Sequence, residues 1–180
     1  QGLLQAANSI AANGGILTKV AVPPKIFAFA ASLAAYANFL IGLIPLALVV
    51  YISGQSLSIN LPIVFVMGFF LALFVAGVGL ALSVIFIRFD DAKNIINVLL
   101  LILVYLTPVF YPLSILSEQM KRLVSLNPLT SYLDIFRWSF SSNATASVGD
   151  FIYLAVTGIF FFVIGNYIFK RYWPRTVSML

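Results

Sequence analysis

The chain has 180 residues, 62% hydrophobic and only 8% charged, with 10 Lys and Arg against 5 Asp and Glu. Soluble domains carry about a quarter charged residues, so this composition excludes an ordinary soluble enzyme. Cysteine and histidine are both absent, which removes disulfides, thiolate metal sites and the commonest general base.

Residues 1–12 are moderately apolar and too short to span a membrane alone. They read as the end of a span. Residues 13–25 hold Gly14-Gly15, Pro23-Pro24, Lys19 and Lys25, punctuation that marks a loop or short interfacial helix. From 26 to 87 no residue is charged. At ~1.5 Å per helical residue, ~20 residues cross a ~30 Å hydrocarbon core, so this stretch holds two crossings, 26–52 and 61–87. The uncharged polar run 53–60 turns between them. Arg88 to Asn94 is a short charged loop. A third crossing is predicted over 95–112 and a fourth over 150–169, ahead of a basic tail, Lys170-Arg171 and Arg175.

Residues 113–142 differ. Leu116, Met120 and Leu123 share one helical face; Glu118, Lys121 and Arg122 share the other, with Glu118 and Arg122 spaced i,i+4 for pairing. Asn127-Pro128 then fits an N-cap followed by proline at the first helical position. Beyond it Leu129, Tyr132, Leu133, Phe136 and Phe140 recur on one face, with Thr130, Asp134, Arg137 and Ser141 opposite. Both helices are too short to span and read as an amphipathic hairpin on or partway into the bilayer. The expected fold is therefore all-α and polytopic: four complete transmembrane helices plus this hairpin.

Lys19, Lys25, Arg88, Lys93, Lys170, Arg171 and Arg175 fall on one side of this topology; Lys121, Arg122 and Arg137 fall on the other. The positive-inside rule places the richer side in the cytoplasm and the hairpin outside. Small residues at i,i+4 in 61–87 (Ala72/Ala76, Gly77/Ala81, Gly79/Ser83), with Gly158 and Gly165 in the last span, predict close helix packing. Pro45 predicts a kink.

Chemistry is sparse. There is no phosphate-cradling loop and no spaced metal-ligand set. Asp90 and Asp91 are the only adjacent carboxylates and read as a solvated loop beside Arg88 and Lys93, with Mg²⁺ or a basic partner as the alternative. No acidic residue lies deep in a span, which counts against proton coupling. Tyr51, Phe110, Tyr111, Tyr132 and Trp138 near the outer end form either an interfacial aromatic belt or a surface on which sugar rings stack. Asn143-Ala144-Thr145 matches a glycosylation sequon.

The segment 107–140, with Thr107-Pro108, Tyr111-Pro112, Asn127-Pro128 and Arg137, resembles the type-2 ABC exporter permeases, most closely their polysaccharide and polyol-phosphate export branch. Residues 88–94 resemble that family's arginine-aspartate loop, with Phe89 where arginine and aspartate are often adjacent. Residues 13–27 resemble the loop that docks on the ATPase, followed by the third span. The resemblance implies six spans in a whole permease, so this chain is expected to lack the N-terminal third. It implies a bacterial cytoplasmic (inner) membrane location and an assembly of two permeases and two ATPase subunits. ATP and Mg²⁺ would sit on the ATPase, with no cofactor in this chain and no nucleic acid partner. Asn13, Gly14, Gly15, Leu17 and Lys19 would form the coupling loop; Arg88, Asp90 and Asp91 would line the cytoplasmic loop. Pro108, Tyr111, Pro112, Asn127, Pro128 and Arg137 would build the outer gate. Tyr51, Phe110, Tyr132 and Trp138 would line a path for a lipid-linked glycan. The competing readings are a permease for drugs or lipids, a membrane enzyme acting on lipid-linked sugars, and a structural bundle.

Overall fold

The computed structural model describes residues 1–17, 19–54, 60–89, 91–109, 111, 115–125, 127–140 and 146–176. Every regular element among them is a helix: α1 (Gly2–Ala12), α2 (Gly14–Leu17), α3 (Lys25–Ile52), α4 (Ile63–Arg88), α5 (Ala92–Leu106), α6 (Glu118–Ser125), α7 (Pro128–Phe140) and α8 (Val148–Thr176).

Prolines punctuate the helices as their missing N–H requires. Pro24 and Pro62 stand immediately before α3 and α4, where no intrahelical donor is needed. At the end of α5, Thr107 turns extended, with φ −84° and ψ 132°, because a residue before proline is driven out of the α region. Thus α5 stops at Leu106, whereas the apolar run suggested helix to 112. Its 15 residues rise only about 22 Å. Three helices, α3, α4 and α8, have the length and apolarity to cross a membrane, and α5 is the shorter apolar one. The chain is a multi-pass helical membrane protein.

Helix α4 is the hub, in contact with α1, α3, α7 and α8. Register follows from who meets whom. Gly158 abuts Phe70 and Gly165 abuts Gly77, while Phe169 joins Leu80 and Val84. Helices α4 and α8 therefore run parallel. Val50 packs near Val64 and Ala28 near Val84, so α3 runs antiparallel to both. The small residues explain the closeness. A Cβ on Gly77 would overlap the Phe161 carbonyl, and one on Gly165 the carbonyl of Gly77. Gly79 presses on Ala6 of α1, whose Ala6, Ala7 and Ile10 are buried. Without a hydrophobic drive between helices in lipid, such backbone contact carries the association.

Two apolar cores result, one at each end. Ile10, Ala28, Leu80, Val84 and Phe169, with Leu17 and Trp173 beside them, form the first. Val64, Met67, Tyr132, Ile135, Phe140 and Leu154 form the second and seat the hairpin. Lys25, Arg88 and Lys170 thereby share one end. There the Lys25 ammonium donates to Asn166 Oδ1 and lies 5.8 Å from the Phe169 ring centroid.

The hairpin departs from its sequence pattern in detail. In α6, Glu118 pairs with Lys121 at 2.7 Å, one residue short of the expected Arg122 partner. Val124 is buried in α6, and Met120 is exposed. In α7 the buried side includes Thr130, Ser131, Ile135 and Ser139 beside Tyr132 and Phe140. Small hydroxyls bury readily here because they bond to helical carbonyls: Thr130 Oγ1 donates to Val124 O at 2.7 Å and Ser139 Oγ to Ile135 O at 2.8 Å. Helix α3 continues through Pro45 to Ile52.

Candidate functional site

Thr107, Pro108, Tyr111, Asn127 and Arg137 assemble into one polar clamp at the C-terminal end of α5. Asn127 Oδ1 accepts from Leu129 N at 3.0 Å, capping α7. Its Nδ2 donates to Thr107 Oγ1 at 2.9 Å, and that hydroxyl donates back to Leu103 O at 2.8 Å. Arg137, two turns further along α7, donates from Nη2 to Pro108 O at 2.6 Å and to Val109 O at 3.2 Å. Tyr111 donates its hydroxyl to the Tyr105 and Leu106 carbonyls at 3.2 and 3.4 Å. The last carbonyls of a helix lack intrahelical donors, and here side chains satisfy several of them. Pro112 and Phe110 lie outside the described residues, as do Asp90 and the sequon 143–145.

Helix α8 begins in a Ser-x-x-Asp capping box. Ser147 N and Oγ both donate to Asp150 Oδ2 at 2.8 Å, and Asp150 N donates to Ser147 Oγ at 3.2 Å. Ser131 of α7 donates to the other carboxylate oxygen at 3.4 Å, tying the hairpin to α8. Asp134 faces this corner. Burial, then the neighbouring Asp150, raise its carboxyl above the usual range, against the opposing pull of Arg137. Burial also pushes the Tyr132 phenol up to about 12, against a hydrogen-bond contribution from Thr157, so it remains a donor, reaching Leu154 O at 3.3 Å.

Of the four aromatics singled out from sequence, the three that are described, Tyr51, Tyr132 and Trp138, do not share one surface. Tyr132 is buried at 4% exposure against the Phe74 ring. Trp138 stacks edge-on with Phe151 at 5.8 Å. Tyr51 is 75% exposed at the end of α3.

At the basic end, Asn13 organises the loop. Its carbonyl accepts from Ile16 N and Leu17 N, and its Nδ2 donates to Ser9 O at 2.7 Å. Gly14 is buried and Lys19 exposed. Leu17 turns into the core beside Ile10 and Phe169. Its neighbour Ile16, 47% exposed, is the apolar side chain presented outward. The loop pattern alone did not separate the two, because which side of a four-residue helical turn faces inward depends on its partner. Arg88 and Asp91 are exposed where α4 ends and α5 begins.

Two cavities flank α5. One, of about 490 Å³, is lined by Gln5, Asn8, Ser9, Lys93, Asn94 and Asn97 among others. The second, of about 760 Å³, is apolar and runs between α5 and the α1–α3–α4 face. Sequence reading missed both, since they depend on α5 standing away from its neighbours: none of its residues is buried.

The chain is a polytopic helical bundle with a short α5 clamped to the α6–α7 hairpin, the architecture of a multi-pass membrane protein. The family described as "ABC-2 type transporter" matches residues 17–141, and the chain belongs to it. It is 23% identical over 176 residues to the "O-antigen export system permease protein RfbA" of Klebsiella pneumoniae, covering 96% of this chain and 66% of that protein. To the protein of the same description from Myxococcus xanthus it is 26% identical over 156 residues, covering 85% of this chain and 60% of that protein. The chain thus spans about two thirds or less of the length of these curated relatives.

Proposed function

We propose that this chain is part of the membrane subunit of an ATP-driven exporter that moves a polysaccharide, lipid-linked glycan or polyol phosphate across the bacterial inner membrane. The observation that carries the reading is its likeness, over most of its length, to two relatives named as O-antigen export permeases. In this reading the chain catalyses nothing. ATP and Mg²⁺ belong to a separate ATPase subunit, two copies of which join two permeases. The basic end faces the cytoplasm by its excess of lysine and arginine.

The 13–19 turn presses on the ATPase through exposed Ile16 and Lys19, while Asn13 and Gly14 hold its shape. Closure of the ATPase dimer moves this turn and the helices packed behind it. At the outer end the Thr107–Asn127–Arg137 clamp makes α5 and the hairpin move together, as a gate at the exit. A gene deletion complemented by the full-length permease tests the cargo: surface glycan returns with the wild-type gene. Drug sensitivity without any glycan defect overturns the cargo assignment. For the contact, Ile16→Asp is expected to abolish co-purification of the ATPase, and Met120→Asp on the outer hairpin to preserve it. The reverse pattern removes the coupling role.

A further inference from the structure

We infer that the corner where the start of α3 meets the end of α8 binds the phosphate of an anionic glycerophospholipid, with an acyl chain lying on the seam between the two helices. The inference goes beyond the export reading and depends on neither the cargo nor the ATPase.

Helices α3 and α8 both pack on α4, and two side-chain contacts join them at the basic end. The Lys25 ammonium donates to Asn166 Oδ1, and the Phe29 and Phe162 rings lie 5.8 Å apart. Buried Phe169 supports this corner. Lys25 Nζ sits 5.8 Å from its ring centroid, and Trp173 stacks on it at 5.0 Å. Asn166, Phe169, Lys170 and Trp173 are spaced i, i+3, i+4 and i+7, so they share one face of α8. Lys170 is exposed and near enough for its charge to act on that of Lys25.

Positive charge is left over at this corner. The partners of Lys25, an amide oxygen and a ring face, are neutral, and the bond to Asn166 uses one of three ammonium donors. Among the described residues no carboxylate pairs with Lys25 or Lys170; the Glu118–Lys121 pair belongs to α6. Two like charges held together raise each other's energy, and an anion shared between them reverses the sign.

Depth and surroundings select the anion. Beyond Lys25, α3 carries no charge to Ile52, and α8 carries none over residues 151–169. Both lysines therefore stand where hydrocarbon gives way to head groups, the layer that also suits Trp173. One turn deeper, Leu33 is 65% exposed and Ile159 51% exposed. They continue the Phe29–Phe162 seam as an apolar surface for an acyl chain. Lysine suits phosphate oxygens, and Asn166 keeps its amide N–H donors for phosphate or glycerol oxygens. Inorganic phosphate would leave the seam uncovered. A zwitterionic head group would bring its own cation against the two lysines. An anionic phospholipid satisfies both parts.

The test uses full-length permease in phosphatidylcholine nanodiscs containing phosphatidylglycerol with a diazirine on its acyl chain. Labelled peptides are mapped by mass spectrometry, and a phosphatidylcholine probe with the same chain gives the background. Labelling above that background is expected on residues 26–33 and 159–173. Lys170→Gln is expected to reduce it about fivefold, the contribution of one lysine at an anionic surface. Adding Lys25→Gln, which retains a donor for Asn166, reduces it further. Lys170→Arg preserves it, and Arg171→Gln, at the next position round the helix, leaves it unchanged. Equal labelling by the two probes overturns the proposal, as does an equal loss with Arg171→Gln and Lys170→Gln, which would mean a diffuse charge effect. Loss of the label when the ATPase is bound assigns the corner to that subunit and overturns it too. Both leaflets of the disc have the same composition and no transport is measured, so failure of the export reading leaves this test intact.

Discussion

Arg137 shows how one side chain joins two elements. Its guanidinium bonds the Pro108 and Val109 carbonyls from a helix 28 residues or more away in sequence. Hydrogen bonds to a charged group are worth about 1.5–3 kcal/mol. Arg137→Ala is therefore expected to lower stability by about that much in thermal unfolding of the detergent-solubilised protein, and Arg137→Lys by less, because lysine lacks the rigid fork. An unchanged midpoint for the alanine variant would mean the clamp contributes nothing. Asp134 acts in the opposite sense. Its carboxyl is raised by burial and by Asp150, so the folded state holds the proton more tightly than the unfolded state. That costs stability once the group is ionised, and the cost vanishes as pH falls through the raised value toward the ordinary carboxylate range. Asp134→Asn should be the more stable protein at neutral pH, with the gap closing on acidification; a gap that widens would reverse the assignment. Thr107, Asn127 and Arg137 stood out in the sequence through their resemblance to a family motif. The bonds of Asn127 to Thr107 and of Arg137 to the Pro108 carbonyl were not legible there, because partners 20 and more residues apart are set by tertiary packing.

The helices themselves were largely legible, since long uncharged runs have few alternatives in a membrane. Their ends were less so. Hydropathy carried the third predicted crossing through Pro108, but backbone sterics before proline end α5 at Leu106. In α7 an apolar-face count set Thr130 aside and took no account of Ser131 and Ser139. The structure buries all three, because each hydroxyl finds an acceptor: Thr130 on the Val124 carbonyl of α6, Ser131 on the Asp150 carboxylate and Ser139 on the Ile135 carbonyl of its own helix. The pairing of α4 with α8 was foreshadowed by the glycines, though not that Gly165 would lie on Gly77. This contact makes a contrast between two glycines informative. Gly165→Leu forces α8 off α4 and is expected to cost about 1–3 kcal/mol or more. Gly42→Ala in α3 meets no atom within 4 Å and should be neutral or gain about 0.5–1 kcal/mol from helix propensity. Equal effects in thermal unfolding would show that the small residues are not contact sites.

At the scale of the whole molecule the two ends differ in kind. One is basic, anchored by a core of Ile10, Leu80 and Phe169, and carries the 13–19 turn and the amide-lined cavity. The other seats the hairpin on Val64, Tyr132 and Leu154 and clamps it to α5. Between them α3, α4 and α8 form the packed frame, and α5 stands beside it, fastened at its C-terminal end. The clamp ties α5 to the hairpin through Asn127 and Arg137. The most direct measurement reconstitutes the full-length permease with its ATPase in proteoliposomes and follows a fluorescent lipid-linked glycan. Transfer is expected to require both ATP and the ATPase and to be lost with Ile16→Asp. Transfer that proceeds without the ATPase, or complete indifference to ATP, would contradict it.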